Sequence, residues 1–271
     1  MRVLLTGAAG NIGRTLITGL TDRGHRLVGL DLQPAPEGYD GPWHTADCTD
    51  PDAVAEVFDS ERVDAVVHLA GIPGESSLPE ALTSHVVSTG VLLDAMVAHG
   101  VTRMVYASSN HAVGRTPRSE LGDDLLTTEV PPRPDTFYGV GKVAAEALLR
   151  LYAERHAIDT IACRIGVFLQ QPESRRGLSI WLSPDDCVRM VQAALTAPAP
   201  GFAVLYGISA NTRRWWDLEP GCRLGYEPLD DAEEYAADIA TAPIDEVQAT
   251  HVGGSFAADR SIERPAVDRR A

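Results

Sequence analysis

Up to about residue 165, short apolar runs of strand length alternate with segments of helical period. The runs Val3 to Thr6, Leu27 to Asp31, Ala65 to Leu69, Arg103 to Ala107 and Thr160 to Ile165 are separated by Asn11 to Arg23, Pro51 to Ser60, Pro79 to His99 and Phe137 to His156. Near-continuous apolar strands are buried on both faces, and strands joined through helices run parallel by right-handed crossovers. The predicted fold is therefore α/β, a doubly wound parallel sheet with helices on both faces. Sheets of this kind take ligands beyond the carboxyl ends of their strands, so residues just after each run are the first candidates for function.

The first such turn carries Thr6-Gly7-Ala8-Ala9-Gly10-Asn11-Ile12-Gly13 between a strand and a helix, the setting that a Rossmann-type dinucleotide fingerprint requires. Gly7 makes the tight turn, Gly10 admits a pyrophosphate to the backbone, and Gly13 allows close packing of the helix, whose N-terminus at Asn11 and Ile12 faces the phosphates. The second run ends at Asp31, where a carboxylate grips the adenosine ribose diol and repels a 2′-phosphate, so NAD is expected over NADP. Asp47 and Cys48 follow the third strand at a place suited to adenine contact. Leu69, Ala70 and Gly71 close the fourth, where backbone must pass the cofactor.

Lys142 is the only lysine among the 23 Lys plus Arg, and it stands four residues after Tyr138. On a helix that spacing puts the two on one face, roughly 5–6 Å apart at Cβ. A nearby ammonium favours the phenolate, turning a group that titrates near pH ~10 into a proton acceptor closer to neutrality. Ser108-Ser109-Asn110-His111 follows the fifth strand on the same edge of the sheet. Ser109, Tyr138 and Lys142 thus supply a hydroxyl, a phenol and an ammonium that converge on one oxygen-bearing carbon, a set suited to hydride transfer.

After Gly166 the alternation loosens into an irregular stretch (Gln170 to Gly177), a helix (Pro184 to Leu195), a strand near Ala203 to Tyr206 and a polar segment with Trp215 and Trp216. The expected organisation is one domain, with a dinucleotide-binding core over about 1–165, substrate-lobe elements over about 166–255 and a C-terminal arm over about 256–271. The two tryptophans read as lobe packing in preference to sugar stacking. A net charge of −15 argues against nucleic acid or an anionic membrane as partner. The four cysteines show no C-x-x-C spacing, so no metal site or disulfide framework is expected. The first strand-like run begins at Arg2, read as leaving no room for a leader, and no apolar stretch is read as long enough to span a bilayer. A cytoplasmic enzyme is expected, and a homo-oligomer on base rates alone.

The segments TGAAGNIG, Asp31, HLAG, ASSNHAVG and YGVGK resemble the extended short-chain dehydrogenase/reductases. Within them the chain is most similar to the NAD-dependent uronate dehydrogenases, on Ser108 to His111, Arg164-Ile165-Gly166, Leu178-Ser179-x-Trp181, Ser183 to Asp186, Ser209-Ala210-Asn211 and Trp215-Trp216-Asp217. The resemblance runs from Val3 to about Phe256. It implies oxidation of a cyclic uronic acid at C1 to an aldarolactone, with Tyr138 as base, Ser109 holding the same oxygen, Lys142 tuning Tyr138 and binding the nicotinamide ribose, and Asn110 and His111 on ring hydroxyls. Arg176 matches the arginine that receives the C6 carboxylate, although with Arg175 beside it the alternative is a solvated loop charge. For His111 the alternative is a structural histidine. Pro73 and Val167 stand where the uronate dehydrogenases have serines, and neither can donate a hydrogen bond. Another sugar, polyol or nucleoside-like substrate, or an epimerase that retains its NAD, is the competing expectation.

Overall fold

The alternation of apolar runs becomes a wholly parallel sheet in the computed structural model, which describes residues 1–122 and 124–258. Six strands, β1 (Arg2–Thr6), β2 (Arg26–Asp31), β3 (Trp43–Thr45), β4 (Ala65–His68), β5 (Arg103–Ser109) and β6 (Asp159–Ile165), are joined by a late one, β9 (Phe202–Gly207). Between them in the chain, β7 (Val167–Phe168) and β8 (Trp181–Leu182) form a separate parallel pair. The main sheet runs β3-β2-β1-β4-β5-β6-β9, and every pairing in it is parallel. The strand placed by sequence in the lobe, near Ala203 to Tyr206, is in fact the edge of this sheet, registered along β6 from Thr160 opposite Phe202 to Ile165 opposite Gly207.

The helices up to residue 196 are α1 (Asn11–Thr21), α2 (Pro51–Ser60), α3 (Leu78–Leu82), α4 (Ser88–His99), α5 (Phe137–His156), α6 (Gly177–Ile180) and α7 (Pro184–Thr196). Because side chains alternate across a strand, Val3, Leu5 and Val67 pack with Leu16 and Leu20 of α1 and Val191 of α7. Their neighbours Leu4 and Val66 pack with Phe58 of α2, Met96 of α4 and Leu149 of α5 on the other face. Each such side chain contributes roughly 1.5–3 kcal/mol by leaving water. Local signals set the helix ends: Asp50 Oδ1 accepts from the backbone of Asp52 and Ala53 at 3.0 and 3.2 Å to start α2, and Gly100, at φ 68°, ends α4.

α3 and α4 are joined without a break through one π-helical turn, Thr83–Val87, giving a helix from Leu78 to His99. With a mean hydropathy of 1.4 over its most apolar 18 residues, this helix is long and apolar enough to cross a membrane, contrary to the expectation from sequence. Its apolar content has a local use, since Leu92, Leu93 and Met96 are fully buried against the sheet. Beyond α7, Trp215 and Trp216 are lobe core, packed with Tyr206, Ile208 and Val252. The expected arm begins inside ordered structure: Ser255–Ala258 forms a short helix with Ala257 buried, and residues 259–271 lie outside the described residues.

Candidate active site and cofactor cavity

The carboxyl ends of β1, β2, β4, β5 and β6 open onto a cavity of about 1000 Å³. Gly7, Gly10, Asn11, Ile12, Gly13, Asp31, Asp47, Cys48, Leu69, Ala70 and Gly71 all border it, as do Ser109, Tyr138 and Lys142. Gly7 turns at φ 68° and passes so close to β4's exit that a Cβ would lie 2.7 Å from the Ala70 nitrogen. A Cβ on Gly13 would lie 2.5 Å from the Gly7 oxygen, so α1 is seated on the loop itself. Gly10 differs: a Cβ there would meet only the Gly7 oxygen, at 3.3 Å. It is also the N-cap of α1 and offers no side chain to the first-turn N–H groups, nor does that turn hold an acidic residue. An open glycine before an uncompensated helix N-terminus is a cradle for phosphate. The Asp31 carboxylate accepts from Ala9 N and Gln33 N, each at 2.9 Å, which fixes it at the cavity wall with a further lone pair free on each oxygen. Burial, with Asp47 adding to it, pushes the Cys48 thiol up to about 12, so it serves as an apolar wall. These features fit an NAD molecule, with Asp31 on its ribose diol and the α1 N-terminus on its phosphates.

At the far end of the cavity α5 presents Tyr138 and Lys142 to β5. The helix starts on Thr136, whose Oγ1 accepts from Gly139 N at 2.9 Å, and on Glu75, whose carboxylate accepts from Phe137 N and Tyr138 N at 3.0 and 3.2 Å. Lys142 is buried and its Nζ donates to the Ala107 carbonyl at 2.7 Å, over the rings of Tyr106 and Tyr138 at 4.8 and 5.3 Å from their centroids. Burial acts on the two groups against the expected direction of tuning. Burial raises the Tyr138 phenol above its ordinary value, with Ser109 pulling it partly back, while burial lowers Lys142 to about 7 against the pull of Glu146. Desolvation outweighs the opposing influences of Ser109 and Glu146 because both groups leave water.

The polar groups on the other side of Tyr138 do not border the cofactor cavity but adjoin it. Asn110 is buried, and its Oδ1 accepts from Ser109 Oγ at 3.2 Å. His111 Nδ1 donates to both oxygens of the buried Asp135 carboxylate at 2.9 and 3.0 Å, and its ring stands edge-on to Tyr138 and Phe256 at 5.8 and 5.3 Å. Arg176 is no solvated loop charge. Its Nη2 donates to the Val252 carbonyl at 2.7 Å, Nε has no partner among the described residues, and burial brings its pKa down to about 10 against the attraction of Asp135. It remains a cation at any neutral pH. Pro73 borders the cavity, whereas Val167 does not.

The sequence profile of the NAD dependent epimerase/dehydratase family matches residues 3–169. The chain belongs to that family. A uronate dehydrogenase of Pseudomonas syringae pv. tomato is 36% identical over 262 residues, covering 95% of this chain and 93% of that one. An NAD-dependent glucose-6-phosphate dehydrogenase of Haloferax volcanii is 35% identical over 264 residues, covering 90% and 98%. Among solved structures, a mutant uronate dehydrogenase from Agrobacterium tumefaciens complexed with NAD superposes with a TM-score of 0.87 at 34% identity, over 95% of this chain and 97% of that one.

Several groups at this family site escaped sequence reading. His85, in the π-helical turn, is 1% exposed, borders the cavity, and stands edge-on to Tyr138 at 5.1 Å with neither ring nitrogen hydrogen-bonded among the described residues. Burial and Lys142 hold it at about 3, so it is a neutral imidazole. Its signal was a lone histidine inside a helical apolar period, which reads as core. Asp135 and Glu75 lie in loops, where nothing local says which helix or ring they will meet. Glu146 was within reach, being four residues beyond Lys142 as Lys142 is beyond Tyr138.

Proposed function

We propose that this protein oxidises a uronic acid, galacturonate or glucuronate, at C1 to the aldarolactone, with NAD as cofactor. The convergence of Ser109, Tyr138 and Lys142 at one end of a dinucleotide cavity carries the reading, and the uronate dehydrogenases that align along almost the whole chain support its substrate class. Bound NAD supplies the hydride acceptor. Tyr138 takes the proton of the C1 hydroxyl as the C1–H bond gives up its hydride, and the C1–O bond becomes the lactone carbonyl. Ser109 donates to that oxygen and keeps it aligned. His111, oriented by Asp135, and Asn110 meet the ring hydroxyls, while the Nε edge of Arg176, without a partner among the described residues, receives the carboxylate. The reaction belongs in the cytoplasm, within sugar-acid oxidation.

A second reading rests on Pro73, where a hydroxyl donor is missing from the cavity wall, and on the sugar-phosphate dehydrogenase among the relatives. It keeps the same chemistry at C1 and changes the far end of the substrate. Following NADH absorbance with galacturonate, glucuronate, their neutral parent sugars and glucose 6-phosphate separates the two. The acids should lead the neutral sugars by about 100-fold in kcat/KM, the scale of a charged pair lost from a site. Arg176→Met should erase that lead by raising KM, with kcat for neutral sugars unchanged. Equal turnover of acids and neutral sugars by wild type overturns the uronate reading.

A further inference from the structure

We infer that Glu146 is a positioning residue that, balanced by Arg164, biases the proton shared by Tyr138 and Lys142 onto the lysine and ties Ser108–Ser109 to their helix. The inference deepens the hydride-transfer reading and rests on it. Glu146 follows Tyr138 and Lys142 by successive steps of four along α5, so the three form one row on the face turned to β5. It is 6% exposed and fully engaged: Oε1 accepts from Ser108 Oγ at 2.5 Å and from Arg164 Nε at 3.0 Å, and Oε2 accepts from Arg164 Nη2 at 2.7 Å. Ser108 is the residue before Ser109, and the Ala107 carbonyl before it holds Nζ of Lys142. One carboxylate therefore ties the end of the strand that presents the serine to the helix that presents the base.

The charges around Lys142 show why this carboxylate matters. Tyr138 and Glu146 face it from α5, Tyr106 and the Ala107 carbonyl from β5, His68 from β4, and His85 from the π-helical turn, with Arg164 of β6 behind Glu146. Both histidines are neutral, held at about 3. Glu146 is the one carboxylate whose charge opposes the burial of the ammonium among the described residues. With Glu146 present, a single proton on the Tyr138/Lys142 pair is drawn toward nitrogen, which leaves the phenolate as base. Arg164 limits that pull.

The chain's single lysine makes the test direct. With lysine labelled with ¹³C at its ε carbon, the full-length protein gives one side-chain signal, which titrates with the Lys142 ammonium and needs no substrate, so failure of the uronate reading leaves it untouched. In wild type the midpoint should lie near 7. Glu146→Gln should lower it by about one pH unit, Arg164→Gln should raise it, and Glu146→Asp should stay within half the Gln shift. A general loosening of the site would move both Gln variants the same way, toward the ordinary lysine value. Each Gln variant leaves one member of a buried ion pair uncompensated and is at risk of misfolding; the sign of the shift in whichever of them folds and binds NAD decides. Midpoints within about 0.2 unit of wild type in folded, NAD-binding variants, or shifts of the same sign, overturn the inference.

Discussion

Tyr138 and Lys142 between them carry one proton across a wide range of pH. The lysine gives it up near 7 and the phenol holds its own above the ordinary tyrosine value, so between those limits the pair carries one proton, either as phenol and amine or as phenolate and ammonium. Only the second form puts the base on the Tyr138 oxygen. The oxidation rate should therefore rise with pH through about 7 and then level, which a kcat profile from pH 5.5 to 9 would show; a rate falling across that span would rule the scheme out. Tyr138→Phe removes the base without changing the cavity wall, and should lower kcat by roughly 10²–10⁴-fold with NAD affinity held. Stability gives an independent check on the lysine. Its folded value lies below its unfolded one, so the unfolded chain binds more protons between about 7 and the ordinary lysine range, and stability rises with pH across that window. Below it the full penalty of the buried ammonium is present. Lys142→Met should gain up to a few kcal/mol over wild type at pH 6, less the bond to Ala107, and the gain should fade toward pH 10, as urea unfolding would measure.

At the scale of elements, what could be read from sequence was whatever carries its own periodicity. α2 and α5 match their sequence ranges residue for residue, because a cap, a proline or an amphipathic period marks them locally. The loop from Gly7 to Gly13 was legible for the same reason, each glycine having a separate job that a side chain would obstruct or crowd. Illegible were features that depend on a distant partner. The π-helical turn appears in sequence as plain helix, and β9 could be recognised as a strand but not assigned a sheet, since only its register with β6 makes it an edge. His85 and Asp135 owe their meaning to Tyr138 and His111, across a fold that no short window contains. The glycine loop gives the sharpest test at this scale. Gly13→Ala puts a methyl 2.5 Å from the Gly7 oxygen and 2.6 Å from that of Ala8, both backbone atoms with nowhere to go. The start of α1 must lift, at a cost of about 1–3 kcal/mol. If the N–H groups of that first turn form the phosphate cradle, NAD binding measured by protein fluorescence should weaken at least tenfold; unchanged affinity would mean that the cradle lies elsewhere.

Over the whole molecule the chain crosses its own site twice, first through the strand ends that bear Ser109 and Asp31 and again near its C-terminus. Thr250 accepts from Arg118 N at 2.9 Å, Val252 N donates to Thr116 at 3.0 Å and Gly253 N to Gly114 at 2.8 Å, so this late segment is stitched onto the loop that follows β5. From there the Val252 carbonyl holds Arg176, and Phe256 closes over His111. The cofactor cavity, by contrast, is bordered by no residue later than Phe168 among the described residues. This division predicts that the two halves of the site can be separated. A chain ended after Ala249 loses Val252, fully buried among Val113, Ile180 and Trp216, together with Ala257. Removing that burial costs roughly 2–4 kcal/mol, or about 4–15 °C in Tm for a chain of this size. Arg176 then loses the carbonyl that orients it, and His111 its cover from water, so KM for a uronic acid should rise at least tenfold in the shortened chain. NAD affinity, resting on β1, β2 and α1, should stay within about twofold. Calorimetry and NAD titration on the same preparation decide the matter: a parallel loss of both ligands would show that the C-terminal segment holds up the whole sheet edge, whereas loss of the acid alone assigns it to the substrate side.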